Sequence, residues 1–146
     1  MIAIASDHGA YALKETLKVY LAERGYGVED FGTHSTESCD YPDFAAAAAR
    51  AVADGRCERG VVLCTTGVGA SITANKVKGI RCALCTDPVM AEMTRRHNDS
   101  NVLALGAQIT GELVCIAIVD TWLSATYEGG RHQRRVDKMT ELEKAL

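Results

Sequence analysis

The sequence has no surplus of positive charge: 16 lysines and arginines face 19 aspartates and glutamates, a formal net charge of −3. That argues against nucleic acid and against an anionic membrane surface as partners, since both are recognised through clustered base. Long apolar runs are missing as well. The longest, near 113–123, is broken by Asp120 and is too short to cross a bilayer. The N-terminus shows neither a basic leader nor a cleavage pattern, so no secretory signal is expected. No group of His, Cys and Asp has metal-ligand spacing, and no internal repeat or linker divides the chain. What is left is a single domain of 146 residues, long enough to bury a real core.

Six cysteines could suggest a disulfide framework, but Cys64, Cys82, Cys85 and Cys115 lie inside apolar segments. Buried, reduced thiols of a cytoplasmic protein are the expectation.

Short β-type runs alternate with helical ones along the whole chain. Ile2–Ala5, Val28–Phe31, Val61–Cys64, Arg81–Cys85 and Val102–Leu105 read as strands. Four are largely apolar, as strands covered on both faces should be. Val28–Phe31 carries two charges and is the edge candidate. Leu13, Leu17 and Leu21 form a stripe at helical spacing that Gly25 ends. Pro42 opens an alanine-rich helix that stops at Gly55, and Ser71–Val77 belongs to a third. Asp87-Pro88 gives an N-cap and a proline at the first helical position, for a helix ending near Arg96. A helix from Thr110 through Trp122 follows, then a polar tail with a short helix over 135–144. The pattern predicts a three-layer, Rossmann-like α/β domain with five parallel strands and a C-terminal helical extension. The expected strand order is the flavodoxin-like 2-1-3-4-5, with the ligand at the carboxyl ends of strands one and three.

Those ends carry Ser6-Asp7-His8-Gly9 and Cys64-Thr65-Thr66-Gly67-Val68-Gly69. A cysteine that ends a buried strand beside a helix N-terminus sits where backbone N–H groups favour the thiolate and could hold an anionic transition state. Asp7-His8 is either a helix cap with a surface histidine or a carboxylate orienting an imidazole. His97-Asn98-Asp99 closes its helix, with Asn98 as the expected left-handed cap. From there His97 reaches only the amino end of the sheet, so it needs another route to a site, such as a subunit interface. In the tail, Arg131 and Arg135 are four apart and share one helix face, suited to gripping a phosphate, whereas Arg134 points elsewhere.

Several motifs fail. Gly67-Val68-Gly69-Ala70-Ser71-Ile72 lacks the third glycine of a dinucleotide fingerprint and follows the wrong strand. There is no phosphate loop of the Gly-x-x-x-x-Gly-Lys type, and Ala70 stands where a cysteine phosphatase needs arginine. Cys82 and Cys85, three apart on a strand, face opposite sides and form neither a redox pair nor a zinc clamp.

Taken in order, Ser6-Asp7-His8-Gly9, Asp40-Tyr41-Pro42, Cys64-x-Thr66-Gly67-Val68-Gly69, Ala74-Asn75-Lys76, Arg96-His97-Asn98-Asp99 and Gly129-Gly130-Arg131-His132-x-x-Arg135 resemble the type B ribose-5-phosphate isomerases. That family also contains allose- and galactose-6-phosphate isomerases. The resemblance implies four catalytic residues: Cys64 as the base, His97 with Asp7 for ring opening, and Thr66. It implies an anion hole of backbone amides from Thr65 through Gly69, including Gly67 and Val68. Asn98 and Tyr41 would contact the sugar, and His8, Arg131 and Arg135 the phosphate. No metal or organic cofactor is implied. The implied assembly is a homodimer, or a dimer of dimers, with the arm 128–146 contacting the partner subunit. Two positions depart from the family: Thr65 replaces the usual glycine, and Gln108 replaces an arginine that helps hold phosphate. Substrate length therefore stays open between pentose and hexose phosphates. A non-catalytic sugar-phosphate-binding subunit and a thiol hydrolase remain as alternatives from other classes.

Overall fold

The computed structural model describes residues 1–146. Five strands, Ile2–Ser6 (β1), Val28–Asp30 (β2), Arg59–Cys64 (β3), Cys82–Leu84 (β4) and Val102–Gly106 (β5), form one parallel sheet. Helices Tyr11–Glu23 (α1), Tyr41–Ala53 (α2), Val68–Ala74 (α3), Pro88–Asn98 (α4), Glu112–Ser124 (α5) and Arg131–Lys144 (α6) surround it. The three-layer α/β architecture expected from the alternation is present.

The order, however, is β2-β1-β3-β5-β4, not 2-1-3-4-5. β5 is completely buried over five residues, whereas β4 has three half-buried ones. The longer apolar strand gains most from neighbours on both sides, and the short one takes the edge. Right-handed crossovers then fix the layers. The chain passes over β5 on the α2 face, through α3, and returns to it on the opposite face, through α4. One core accordingly joins Leu17, Leu21, Ala91, Ile118 and Trp122 of α1, α4 and α5. The other joins Ala45, Ala48, Ala49, Ala70 and Ala74 of α2 and α3. Cys85 lies in the first core and Cys82 packs against the second, so the two thiols do face opposite sides.

The charged edge strand is anchored from α1. Lys14 shares the buried face of Leu17 and Leu21, and its fully buried ammonium lies 2.7 and 2.6 Å from the two Asp30 oxygens. Burial pushes the Asp30 carboxyl up, but hydrogen bonds from Lys14, Lys18 and the Gly32 N–H outweigh it and hold it below its ordinary value. The tail helix is longer than its sequence suggested: α6 begins at Arg131, directly after Gly129 and Gly130, both at positive φ.

Candidate active site

Register places Cys64 at the carboxyl end of β3, one residue beyond the pairing of Ser6 with Leu63. The thiol is buried, and its sulfur accepts the Gly67 N–H at 3.2 Å. Gly67 can make that bond because it sits at φ +80°, a left-handed conformation that costs an L side chain about 1–2 kcal/mol. Thr66 Oγ1 accepts the Val68 N–H at 3.2 Å and so starts α3. α3 has only seven residues. The Gly67 N–H aimed at the sulfur, rather than a long-helix dipole, is the local positive charge it meets. Gly69 and Ala70, in the first helical turn, have N–H groups without an intrahelical acceptor.

The loop is clamped from the neighbouring strand. Ala107 donates to the Cys64 carbonyl and Gln108 to the Thr65 carbonyl, both at 3.0 Å. Gly106 lies so close to the Thr66 carbonyl oxygen that a β-carbon would overlap it. This clamp exists because β5, not β4, lies beside β3.

The other carboxyl-end residues gather around the same loop. Asp7 is buried, and its Oδ1 accepts the Ala10 N–H at 3.1 Å, capping a single 3₁₀ turn, His8–Ala10. The Cys39 N–H donates to His8 Nδ1 at 3.2 Å. A neutral His8 therefore carries its proton on Nε2, turned away from Cys39. Gly9 leaves room for the Thr65 hydroxyl, and the Tyr41 ring lies over Gly69 where a β-carbon would stand. The Gln108 side chain is exposed beside a recess of about 350 Å³ that Gly9, Leu13 and Thr110 also line.

His97, Asn98, Arg131 and Arg135 lie elsewhere. The Asn98 carbonyl accepts Arg81 Nε at 3.0 Å, and Arg81 immediately precedes β4, at the amino end of the sheet. The left-handed cap of α4 is Asp99, at φ 48°, and not Asn98. Asp99 takes this role because Arg95 and Arg81 both bind its carboxylate. Buried Trp122 adds a hydrogen bond to Ser100 at 2.9 Å, so the end of α4 is held rigidly.

Next to that end the structure brings together residues that spacing did not connect. The His132 and His97 rings stack with centroids 4.2 Å apart and planes 12° from parallel. Glu128 reaches both, at 3.5 Å from His132 Nε2 and 3.9 Å from His97 Nε2. Arg96 binds the same carboxylate at 2.6 Å and holds it below the usual carboxylate range. Burial, with His97 and Arg131 nearby, pushes the His132 imidazole down. These three side chains have the proximity of metal ligands. Near-parallel imidazole planes do not meet at a common ion, since each ring coordinates in its own plane. The Glu128-x-x-x-His132 spacing was the available signal for this cluster, but nothing in sequence tied it to His97.

One chain thus holds two half-sets. Asp7, His8, Tyr41, Cys64, Thr65, Thr66, Gly67, Val68, Gly69 and Gln108 meet at the carboxyl end of the sheet, while His97, Asn98, Arg131 and Arg135 stand at the amino end. The first can carry a thiolate beside an anion hole; the second offers imidazoles and guanidinium groups.

A family model described as ribose/galactose isomerase matches residues 2–139. The chain is 49% identical over 142 residues to the ribose-5-phosphate isomerase B of Escherichia coli, covering 97% of this chain and 95% of that one. The solved structure of the Clostridium thermocellum ribose-5-phosphate isomerase B is 56% identical and superposes with a TM-score of 0.98, covering 99% of this chain and 97% of the other. That of the Mycoplasma genitalium enzyme, with bound ribulose 5-phosphate, is 40% identical with a TM-score of 0.95, covering 99% and 97%.

Proposed function

The chain belongs to the ribose/galactose isomerase family, and on that footing we propose that it interconverts ribose 5-phosphate and ribulose 5-phosphate. The reaction begins with ring opening: the hydroxyl on C1 loses its proton, the bond from C1 to the ring oxygen breaks, the ring oxygen takes up a proton, and C1 becomes the aldehyde carbon. His97, with Asp7, serves this step. Cys64 as thiolate then takes the proton from C2 and returns it to C1, while the C2 hydroxyl loses its proton and the C1 oxygen gains one. The enediolate formed in between is held by N–H groups of the Thr65–Gly69 loop, with Thr66 fixing the loop's geometry. His8, Arg131 and Arg135 hold the phosphate; Tyr41, Asn98 and Gln108 contact the substrate.

The observation that carries this reading is the buried Cys64 sulfur receiving the Gly67 N–H at the sheet's carboxyl end. Such a donor stabilises the thiolate that the proton transfer requires. Because the two half-sets stand at opposite ends of one sheet, the reading also requires a homodimer in which the arm 128–146 and His97 of one subunit complete the other's site. All six cysteines are free, which suits a reducing compartment, and we place the enzyme in the cytoplasm. No helix is long and apolar enough to cross a membrane.

The test is kcat/KM on ribose 5-phosphate, allose 6-phosphate and galactose 6-phosphate for the native protein and Cys64→Ala. A pentose preference that vanishes in the variant, with phosphosugar binding kept, is the expected result. Turnover of none of the three would refute the reading, and a covalent acyl- or phosphoryl-cysteine would point to hydrolysis instead.

A further inference from the structure

The cluster beside the end of α4 is more than a chance meeting of exposed groups. Glu128 lies on the segment between α5 and α6, yet it is fixed twice: its N–H donates to the Arg96 carbonyl at 3.0 Å, and its carboxylate binds Arg96 Nε. Gly129 and Gly130 follow at φ 66° and 56°, a turn that brings His132 back over His97. His132 is buried although it is a polar ring, while His97 keeps about a third of its side chain open to solvent. One face of His97 is therefore packed against His132. An imidazole with one face stacked and its edge beside an anchored carboxylate has its orientation set before substrate arrives.

Charge adds to the case. Burial, the neighbouring His97 ring and the Arg131 and Arg135 guanidinium groups of α6 push the His132 imidazole down, while Arg96 of α4 holds the Glu128 carboxylate ionised beside it. Glu92, on α4, is turned to Arg96 at 3.6 Å. Glu128 is the carboxylate within 4 Å of both rings. Its negative charge thus lies against both rings, next to the arginine that anchors it.

We propose that Glu128 and His132 are the positioning pair of His97, one bridging and one stacking, and that they serve ring opening separately from proton transfer at Cys64. This rests on the isomerase reading given above. The separation is chemically testable. Ribose 5-phosphate is a cyclic furanose and must be opened, whereas ribulose 5-phosphate, with its carbonyl at C2 and its C5 oxygen phosphorylated, has no furanose to open. Exchange of its C1 proton with solvent needs the thiolate and anion hole alone.

The experiment compares turnover of ribose 5-phosphate with deuterium incorporation at C1 of ribulose 5-phosphate in D₂O, for native protein, Glu128→Gln and His132→Phe. In Glu128→Gln, turnover of the cyclic sugar should fall roughly 10–100-fold, a share of the ~10²–10⁴ that a positioned acid supplies, with deuterium exchange unchanged. His132→Phe keeps the stack but removes Nε2, and should show the same split even if Glu128→Gln fails to fold. Exchange that falls in step with turnover would mean a structural role and overturn the proposal. Native-like turnover in both variants would overturn it equally. A native protein inert on both sugars would instead sink the substrate reading, and this proposal with it.

Discussion

Replacing Gly67 by alanine tests the geometry of the Cys64 loop most directly. The residue stands at φ +80°, so any side chain there carries about 1–2 kcal/mol of backbone strain. Space is the second problem. A β-carbon would lie 2.6 Å from Leu84 Cδ1, 2.8 Å from the Leu105 carbonyl carbon and 3.0 Å from the Gly106 nitrogen. The Leu84 methyl can rotate, but the β5 backbone cannot. An ordinary contact begins near 3.4 Å, so the loop must retreat by about 0.6 Å (3.4 minus 2.8) from β5. That movement lengthens the Gly67 N–H bond to the Cys64 sulfur and displaces the proposed anion hole. Misplacement of about 1 Å can cost ~10² in rate, so kcat on ribose 5-phosphate should drop some 10–100-fold. Gly55→Ala is the control: it has the same kind of strain, at φ +81°, but no atom within 4 Å of its β-carbon. Both variants should lose stability in urea, Gly67→Ala the more because overlap adds to its strain, and only Gly67→Ala should lose activity. If Gly67→Ala keeps native kcat, or Gly55→Ala loses as much, the loop hydrogen bond is not what makes Cys64 competent.

Two further outcomes concern the ionisable groups of the fold. Asp30→Asn leaves the fully buried Lys14 ammonium with only the more exposed Glu15, at 3.4 Å, as a charge partner, and urea unfolding should register a loss of up to about 3–5 kcal/mol; a loss near zero would mean the Asp30 pair is dispensable. Because the folded Asp30 carboxyl is held below its unfolded value of 3.8, its contribution is present above that pH and fades as pH falls through the folded value. The gap between the variant and the native protein should therefore narrow in acid. At the other extreme, burial raises the Cys82 thiol from 9.0 to about 12 and the Cys85 thiol to about 11. Their contribution is intact below pH 9 and is lost as pH rises through those folded values, so Cys82→Ala should flatten the decline in unfolding free energy between about pH 9 and 12. A decline as steep as in the native protein would assign alkaline unfolding to other groups.

Much of this was legible in the chain because local signals were strong. Asp87-Pro88 opens α4 as its cap chemistry required, with Asp87 accepting the Met90 N–H, and Gly25 and Gly55 follow helix ends at positive φ. The order of β4 and β5 was not legible. Both are short apolar runs, and the deciding quantity, how completely each is covered, is set by the assembled sheet. The cap at Asp99 escaped for a similar reason: Asn98 is intrinsically the better candidate, but Arg95, in the last turn of α4, and Arg81, from just before β4, both reach Asp99. On the site side, Cys64 and Asp7-His8 were visible because strand ends in a parallel sheet are predictable places. The stack of His97 on His132 depends on how α6 returns over α4, a tertiary fact with no local sequence signature.

The placement of the two half-sets has a consequence for the chain as a unit of selection. On the proposed reading, no subunit owns a whole site; each lends its carboxyl end to one centre and its amino end to another. Activity then inherits the association equilibrium, and a chain that folds perfectly but stays alone is inert. A lesion in the thiol loop and one in the histidine cluster would also fall in different halves of any shared centre. In a two-fold pair of such chains, both lesions meet in one centre and leave the other whole, so two inactive sequences can rescue each other without exchanging a residue.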